Sequence, residues 1–201
     1  MSTFGASMPP VLFLTNNDNT LELFRWIDER EPNTIRISSR LSVEDVRRLC
    51  PRFVISFNYR HILKDDVLEL LAGHIVNVHC SVLPWNRGAS PNFFSYYTNT
   101  PKGVTVHEMT QGLDKGDILL QEELSLSEEE TFSSSYATLI EHVRHLVKDN
   151  WVRLSSGKLV GVQQPPGGSY HDLAELRSVR ERYPFEWGDR VSDWKRRYGL
   201  S

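Results

Sequence analysis

The chain has 201 residues, 39% of them hydrophobic and 24% charged, with a net charge of −3. That length suits one domain with a substantial core, and the charge exerts no general pull toward nucleic acid or an anionic membrane. Two cysteines, Cys50 and Cys80, build no disulfide framework and fit a reducing compartment.

No apolar run approaches the roughly 20 residues that span a bilayer. The opening MSTFGASMPP lacks the basic start and apolar core of a signal peptide. A soluble, cytoplasmic protein with a flexible N-terminus over residues 1–10 is expected. Val11–Leu14 is a continuous apolar run that reads as a strand, followed by a polar turn at 15–20. A helix comes next, with Leu21, Phe24 and Ile27 on one face and Asn19 or Thr20 as its N-cap. Thr34–Ile37 alternates as a short strand. Ser42 caps a helix to Leu49 that carries Glu44 and Asp45 in its first turn. Phe53–Phe57 is strand-like, 64–72 is helical, and Ile75–His79 alternates strictly as another strand. Strands alternating with helices predict an α/β fold built on a parallel sheet.

After the Leu83-Pro84 break, 85–91 is a loop and Pro91–Tyr97 a short aromatic helix with proline at its start. Residues 104–107 and 117–124 read as extended segments. The longest helix is expected from Ser127 to Leu154, with Leu139, Val143, Leu146 and Val147 as its apolar stripe and Gly157 ending it. A last strand is expected at 158–162, then a turn at 165–168. From Ser169 onward arginines and lysines interleave with aromatics. Acidic residues are scattered among them, so a helical cover packed by its aromatics fits better than a nucleic-acid contact.

Sheets of this kind hold their sites at the carboxyl ends of the strands. Asn58, Asn77, His79 and the turn at 15–20 all fall there. A period of two sets Asn77, His79 and Ser81 on one face and Val76, Val78 and Cys80 on the other. An amide beside an imidazole at a strand end is either a polar site on a rigid platform or a pair satisfying local backbone groups. Asp114, within Gly-Leu-Asp-Lys-Gly, could equally be a turn residue. A metal on His79, His107 and Asp114 finds no support in paired His or Cys spacing. Cys80, facing away from His79, reads as a packing residue rather than a nucleophile.

Three linked blocks carry a resemblance. They are Asn77-x-His79-x-Ser81-x-Leu83-Pro84, Gly103-x-Thr105-x-His107 and Asp114-x-Gly116-x-Ile118-x-x-Gln121. In this order and separation they resemble the formyltransferase family that uses N10-formyltetrahydrofolate. The resemblance implies a Rossmann-like, three-layer, mostly parallel sheet with helices on both faces. It implies a catalytic domain over 11–157 and a short C-terminal extension, 158–201, packed on it.

The implied reaction moves a formyl group from N10-formyltetrahydrofolate, a co-substrate, to a primary amine, with no metal. Asn77 and His79 would donate to the oxygen that gains charge. Asp114 would orient His79 and relay the amine's proton. Arg60, His61, Ile62, Leu63 and Gln111, with Asp114, would hold the folate. Trp85, Arg87 and His107 would face the amine substrate, Arg87 through phosphate.

Two departures narrow the reading. The turn at 15–20 has no glycine to cradle a phosphate, which lowers a glycinamide ribonucleotide-type reading. A chain of 201 residues also leaves no room for the second domain usual in methionyl-tRNA formyltransferases. What remains resembles small members that formylate an amino sugar linked to a nucleotide. The expected partner is that small molecule, with no nucleic acid and no membrane, and a homodimer is left open. Hydrolysis of the formyl folate, or binding without catalysis, are the alternatives. Retention of Asn77, His79 and Asp114 together speaks against the last.

Overall fold

The computed structural model describes residues 8–200. The expected flexible segment 1–10 therefore lies largely outside the described residues. Among them, strands β1 (Val11–Leu14), β2 (Thr34–Ile37), β3 (Phe53–Phe57), β4 (Ile75–His79), β6 (Lys102–Glu108) and β7 (Ile118–Leu124) form one sheet in the order β2-β1-β3-β4-β6-β7. The first four run parallel, whereas β6 is antiparallel to β4 and to β7. Helices cover both faces, so the mixed sheet has the expected α/β build. A second, two-stranded sheet pairs β5 (Arg87–Gly88) with β8 (Tyr170–His171).

Strand alternation divides the core. Val11, Phe13, Phe53, Ile55, Phe57, Val76 and Val78 pack under α1 (Leu21–Asp28) and α5 (Phe132–Ser155) through Leu23, Ile27, Leu139, Val143 and Trp151. Leu12, Leu14, Val54 and Ile75 face α2 (Val43–Leu49) and α3 (Asp65–Leu70) through Val46, Val67 and Leu68. The central strands are apolar on both sides because both sides are covered. A third cluster joins Phe93, Phe94 and Tyr96 of α4 (Pro91–Tyr97) and Phe132 of α5 to the C-terminal helices α6 (Leu173–Arg182) and α7 (Val191–Tyr198). Trp194 sits at its centre, fully buried.

Local expectations fare unevenly. Ser42 closes a capping box with Asp45 at α2. At α1 the cap differs: residues 18–20 form a 3-10 turn capped by Asn17, and Thr20 makes no capping bond. The long helix starts at Phe132 rather than Ser127, with Thr131 and Ser134 forming its capping box. The preceding segment is committed elsewhere: the Glu128 and Glu130 carbonyls accept from Ser192 and Val191, and the Glu128 carboxylate pairs with Lys195. The expected strand at 158–162 reduces to one bridge between Val162 and Ile118. The chain turns away there because Gln164 reaches toward the loop that holds Asp114.

Candidate active site

Asn77 and His79 share the sheet face of Ile75, as the alternation requires. Antiparallel register sets His107 of β6 directly opposite Asn77, on the same face. Asp114 arrives from the loop after β6, in the left-handed region at φ 54°. Its Oδ1 lies 3.4 Å from Asn77 Nδ2 and 3.5 Å from His107 Nε2, and its Oδ2 lies 3.7 Å from His79 Nδ1. One carboxylate thus faces an amide and two imidazoles; the carboxylate and the imidazoles are buried and Asn77 is half-buried.

Hydrogen-bond partners fix the tautomers. His79 Nε2–H donates to the Asn86 carbonyl at 2.8 Å, so Nδ1 is the nitrogen turned to Asp114. A separation of 3.7 Å is too long for a hydrogen bond, so a proton on Nδ1 is held by charge yet free to donate elsewhere. His107 Nδ1–H donates to the Glu108 carbonyl at 2.8 Å, which turns its Nε2 to Asn77 Nδ2 at 3.3 Å and to Asp114 Oδ1: in the neutral ring Nε2 accepts from Asn77, and in the protonated ring it faces the carboxylate as a donor.

Burial alone would raise the Asp114 carboxyl. The charge on His79, the hydrogen bond and charge of His107, and the Gly88 N–H outweigh it and hold the group well below the usual carboxylate range. Gly88 N–H donates to Asp114 Oδ2 at 2.8 Å. Only glycine serves there: at φ +92° an added Cβ would lie 2.2 Å from the His171 carbonyl oxygen. Ser169 steadies the other side, accepting from Asn86 N–H at 2.8 Å and donating to Asn86 Oδ1 at 3.2 Å.

The four residues open into a cavity of roughly 850 Å³ at the carboxyl ends of β3 and β4. Of the expected folate contacts, Arg60, His61, Ile62 and Leu63 line it, and Gln111 does not. Ile62 and Leu113 face it while exposed. Large exposed apolar side chains at a concave surface are the usual mark of a ligand wall. Of the expected substrate contacts, His107 lines the cavity, and Trp85 and Arg87 do not. Arg87 instead donates to Gln164 Oε1 from Nε at 3.1 Å and Nη2 at 2.7 Å.

Sequence reasoning missed Tyr136, Tyr170 and Trp187 as cavity residues, and Gln164 as a neighbour of Asp114. Tyr136 stands three residues before Leu139 and so reads as part of the apolar stripe. Its hydroxyl accepts from the Asn58 amide at 2.7 Å.

Cys80 packs with Val76 and Val78, and burial pushes its thiol up to about 12. Cys50 is exposed. A maleimide added to the native protein is therefore expected to label Cys50 alone by peptide mass spectrometry, with Cys80 reacting only after denaturation. Equal labelling of both thiols in the native state would contradict this packing.

A family model for formyl transferase matches residues 22–148. The formyltransferase PseJ from Anoxybacillus kamchatkensis, solved in complex with UDP-4,6-dideoxy-4-formamido-L-AltNAc and tetrahydrofolate, is 30% identical. It superposes with a TM-score of 0.83 over 92% of this chain and 97% of that one. A 4-N formyltransferase from Francisella tularensis shares the fold at a TM-score of 0.73, with 19% identity over 86% of this chain and 79% of that one. Methionyl-tRNA formyltransferase from Bacillus thuringiensis (strain Al Hakam) is 33% identical over 131 residues, 65% of this chain and 42% of that protein. The chain thus spans less than half the length of the curated relatives it matches. With the family model and a solved relative agreeing over most of its length, the chain belongs to the formyl transferase family.

Proposed function

We propose that this chain transfers a formyl group from N10-formyltetrahydrofolate to the primary amine of a nucleotide-linked amino sugar. The observation that carries the reading is the convergence of Asn77, His79, His107 and Asp114 at the head of one cavity. PseJ, whose structure holds a nucleotide-linked formamido sugar and tetrahydrofolate, supports the choice of acceptor class. The loops at 58–64 and 109–114 fit the folate, because they wall the cavity with backbone and with exposed Ile62 and Leu113. The bound donor supplies an electrophilic formyl carbon.

The chain's own residues do the rest. The His79 Nδ1 proton, held beside the Asp114 carboxylate, donates to the carbonyl oxygen as negative charge grows there. One preorganised donor of this kind is typically worth about 3–4 kcal/mol. Asn77 contributes amide donors that do not titrate. A carboxyl held as low as Asp114 is a weak proton acceptor at neutral pH. Its role in this reading is to stabilise positive charge on an imidazole whenever that ring holds a second proton. The lone pair of His107 Nε2 accepts the proton that the amine loses as its nitrogen bonds the formyl carbon, and a proton passes to N10 as the C–N10 bond breaks and tetrahydrofolate leaves. Two reduced cysteines suit a cytoplasmic setting, and no described helix is long and apolar enough to cross a membrane.

The test is incubation with N10-formyltetrahydrofolate and a panel of nucleotide-linked amino sugars, glycinamide ribonucleotide and methionyl-tRNA. The expected result is an amino-sugar product whose mass reflects replacement of H by CHO. Formate release without any formylated product would instead identify a hydrolase and sink the transfer reading.

A further inference from the structure

We propose that Gln164 is a positioning residue for Asp114, oriented for that task by Arg87; the inference rests on the formyl-transfer reading above. Gln164 lies beyond residues 22–148, the span that the family model matches. Its Nε2 donates to the Asp114 carbonyl and to the Gly116 carbonyl, each at 2.8 Å. Its Oε1 accepts both Arg87 contacts.

The chemistry allows one orientation of this amide. A guanidinium only donates, so the oxygen must face Arg87. Backbone carbonyls only accept, so both Nε2 hydrogens must face the loop. Among uncharged side chains of this length, only glutamine offers an accepting oxygen at one corner and two donors at the other.

The clamp acts where the loop is least able to hold itself. Asp114 is a non-glycine residue at φ 54°, a conformation that persists only when its surroundings enforce it. Gln164 grips the backbone on both sides of Lys115, while Gly88 N–H grips the Asp114 carboxylate. Arg87 and Gly88 are consecutive in β5, so one short strand sets both the backbone and the side chain of Asp114. The guanidinium expected to meet phosphate is spent on this internal task.

Three variants separate positioning from bulk stability. Gln164→Glu keeps the size and the Arg87 pairing but removes both donors and sets a carboxylate oxygen against two carbonyls. Gln164→Ala removes the clamp, and Gln163→Ala is the exposed neighbouring control. With the amine that the panel identifies, Gln164→Glu and Gln164→Ala should lose on the order of 10- to 100-fold in kcat, since misplacing a reacting group by about 1 Å costs about 100-fold. KM for formyl folate should stay within about twofold, the melting midpoint should hold, and the pH profile should move. Adding Arg87→Met to Gln164→Ala should cost nothing further, because the two act as one unit.

Imidazole titration of His79 and His107 by NMR needs no substrate. The curves should shift in both Gln164 variants and not in Gln163→Ala. Wild-type kcat and pH profile in Gln164→Glu, or losses that follow melting alone, would overturn the proposal. If the wild type formylates no amine, the functional reading fails. The titration then still decides the clamp: a shift supports it, and unchanged curves overturn it.

Discussion

Replacing Asp114 by asparagine is expected to lower formyl transfer by roughly 10²- to 10⁴-fold, the usual range for losing a group that governs proton transfer. Asparagine keeps the size, and its oxygen can still accept the Gly88 N–H. What disappears is the charge that faces His79 Nδ1 and His107 Nε2. His79 Nδ1 then loses the negative charge that faces it at 3.7 Å.

The same substitution has a defined stability signature. The folded carboxyl lies below its unfolded value. Its contribution is therefore full above the unfolded pKa of about 3.9 and is lost as pH falls toward the folded pKa. The gap between wild-type and Asp114→Asn unfolding midpoints should shrink as pH falls below about 5. Single-turnover rates with urea unfolding at several pH values check both halves. A variant that transfers at the wild-type rate, or a gap that widens in acid, would refute the electrostatic role.

Legibility in the sequence followed the range of the forces involved. Strict alternation in Ile75–His79 put Asn77 and His79 on one face, because a period of two leaves a strand no other choice. The register opposite His107 came only with the structure, since pairing is non-local. Ser127-Glu-Glu-Glu130 carries the pattern of a capping box, yet the helix begins four residues past Ser127's nearest neighbour in that motif, at Phe132. There Ser127 Oγ accepts from Glu129 N–H in a local turn, and Glu128 and Glu130 are bound to α7. Tertiary docking overrode a sound local signal. Gln164 gave no signal at all, because a glutamine before Pro165-Pro166 looks like an ordinary turn until its two partners come into reach. Arg87 misled for the opposite reason: an arginine beside a proposed phosphate invites that pairing, and only the fold shows its donors already used.

Trp194→Ala is expected to destabilise the protein by about 3–5 kcal/mol, the range for truncating a fully buried aromatic. The indole has no exposed surface, and its ring lies 5.5 Å from Phe93 and 5.4 Å from Phe132. Its Nε1–H donates to the Tyr183 carbonyl at 3.2 Å, so truncation also leaves that acceptor without its partner. Phe93 and Phe132 belong to α4 and α5 and line the cavity as well as the aromatic cluster. The C-terminal helices and the cavity wall therefore share one packed unit. For a chain of this size the loss corresponds to a fall of roughly 6–20 °C in melting midpoint. Fluorescence and far-UV circular dichroism should report coincident transitions in urea, because the extension cannot leave without releasing Phe93 and Phe132. Two separated transitions, with residues 11–157 staying folded through the first, would show instead that the extension is a cover the catalytic core does not need. A single shifted transition would mean that the aromatic tail holds the walls on which the carboxylate and its imidazoles are mounted.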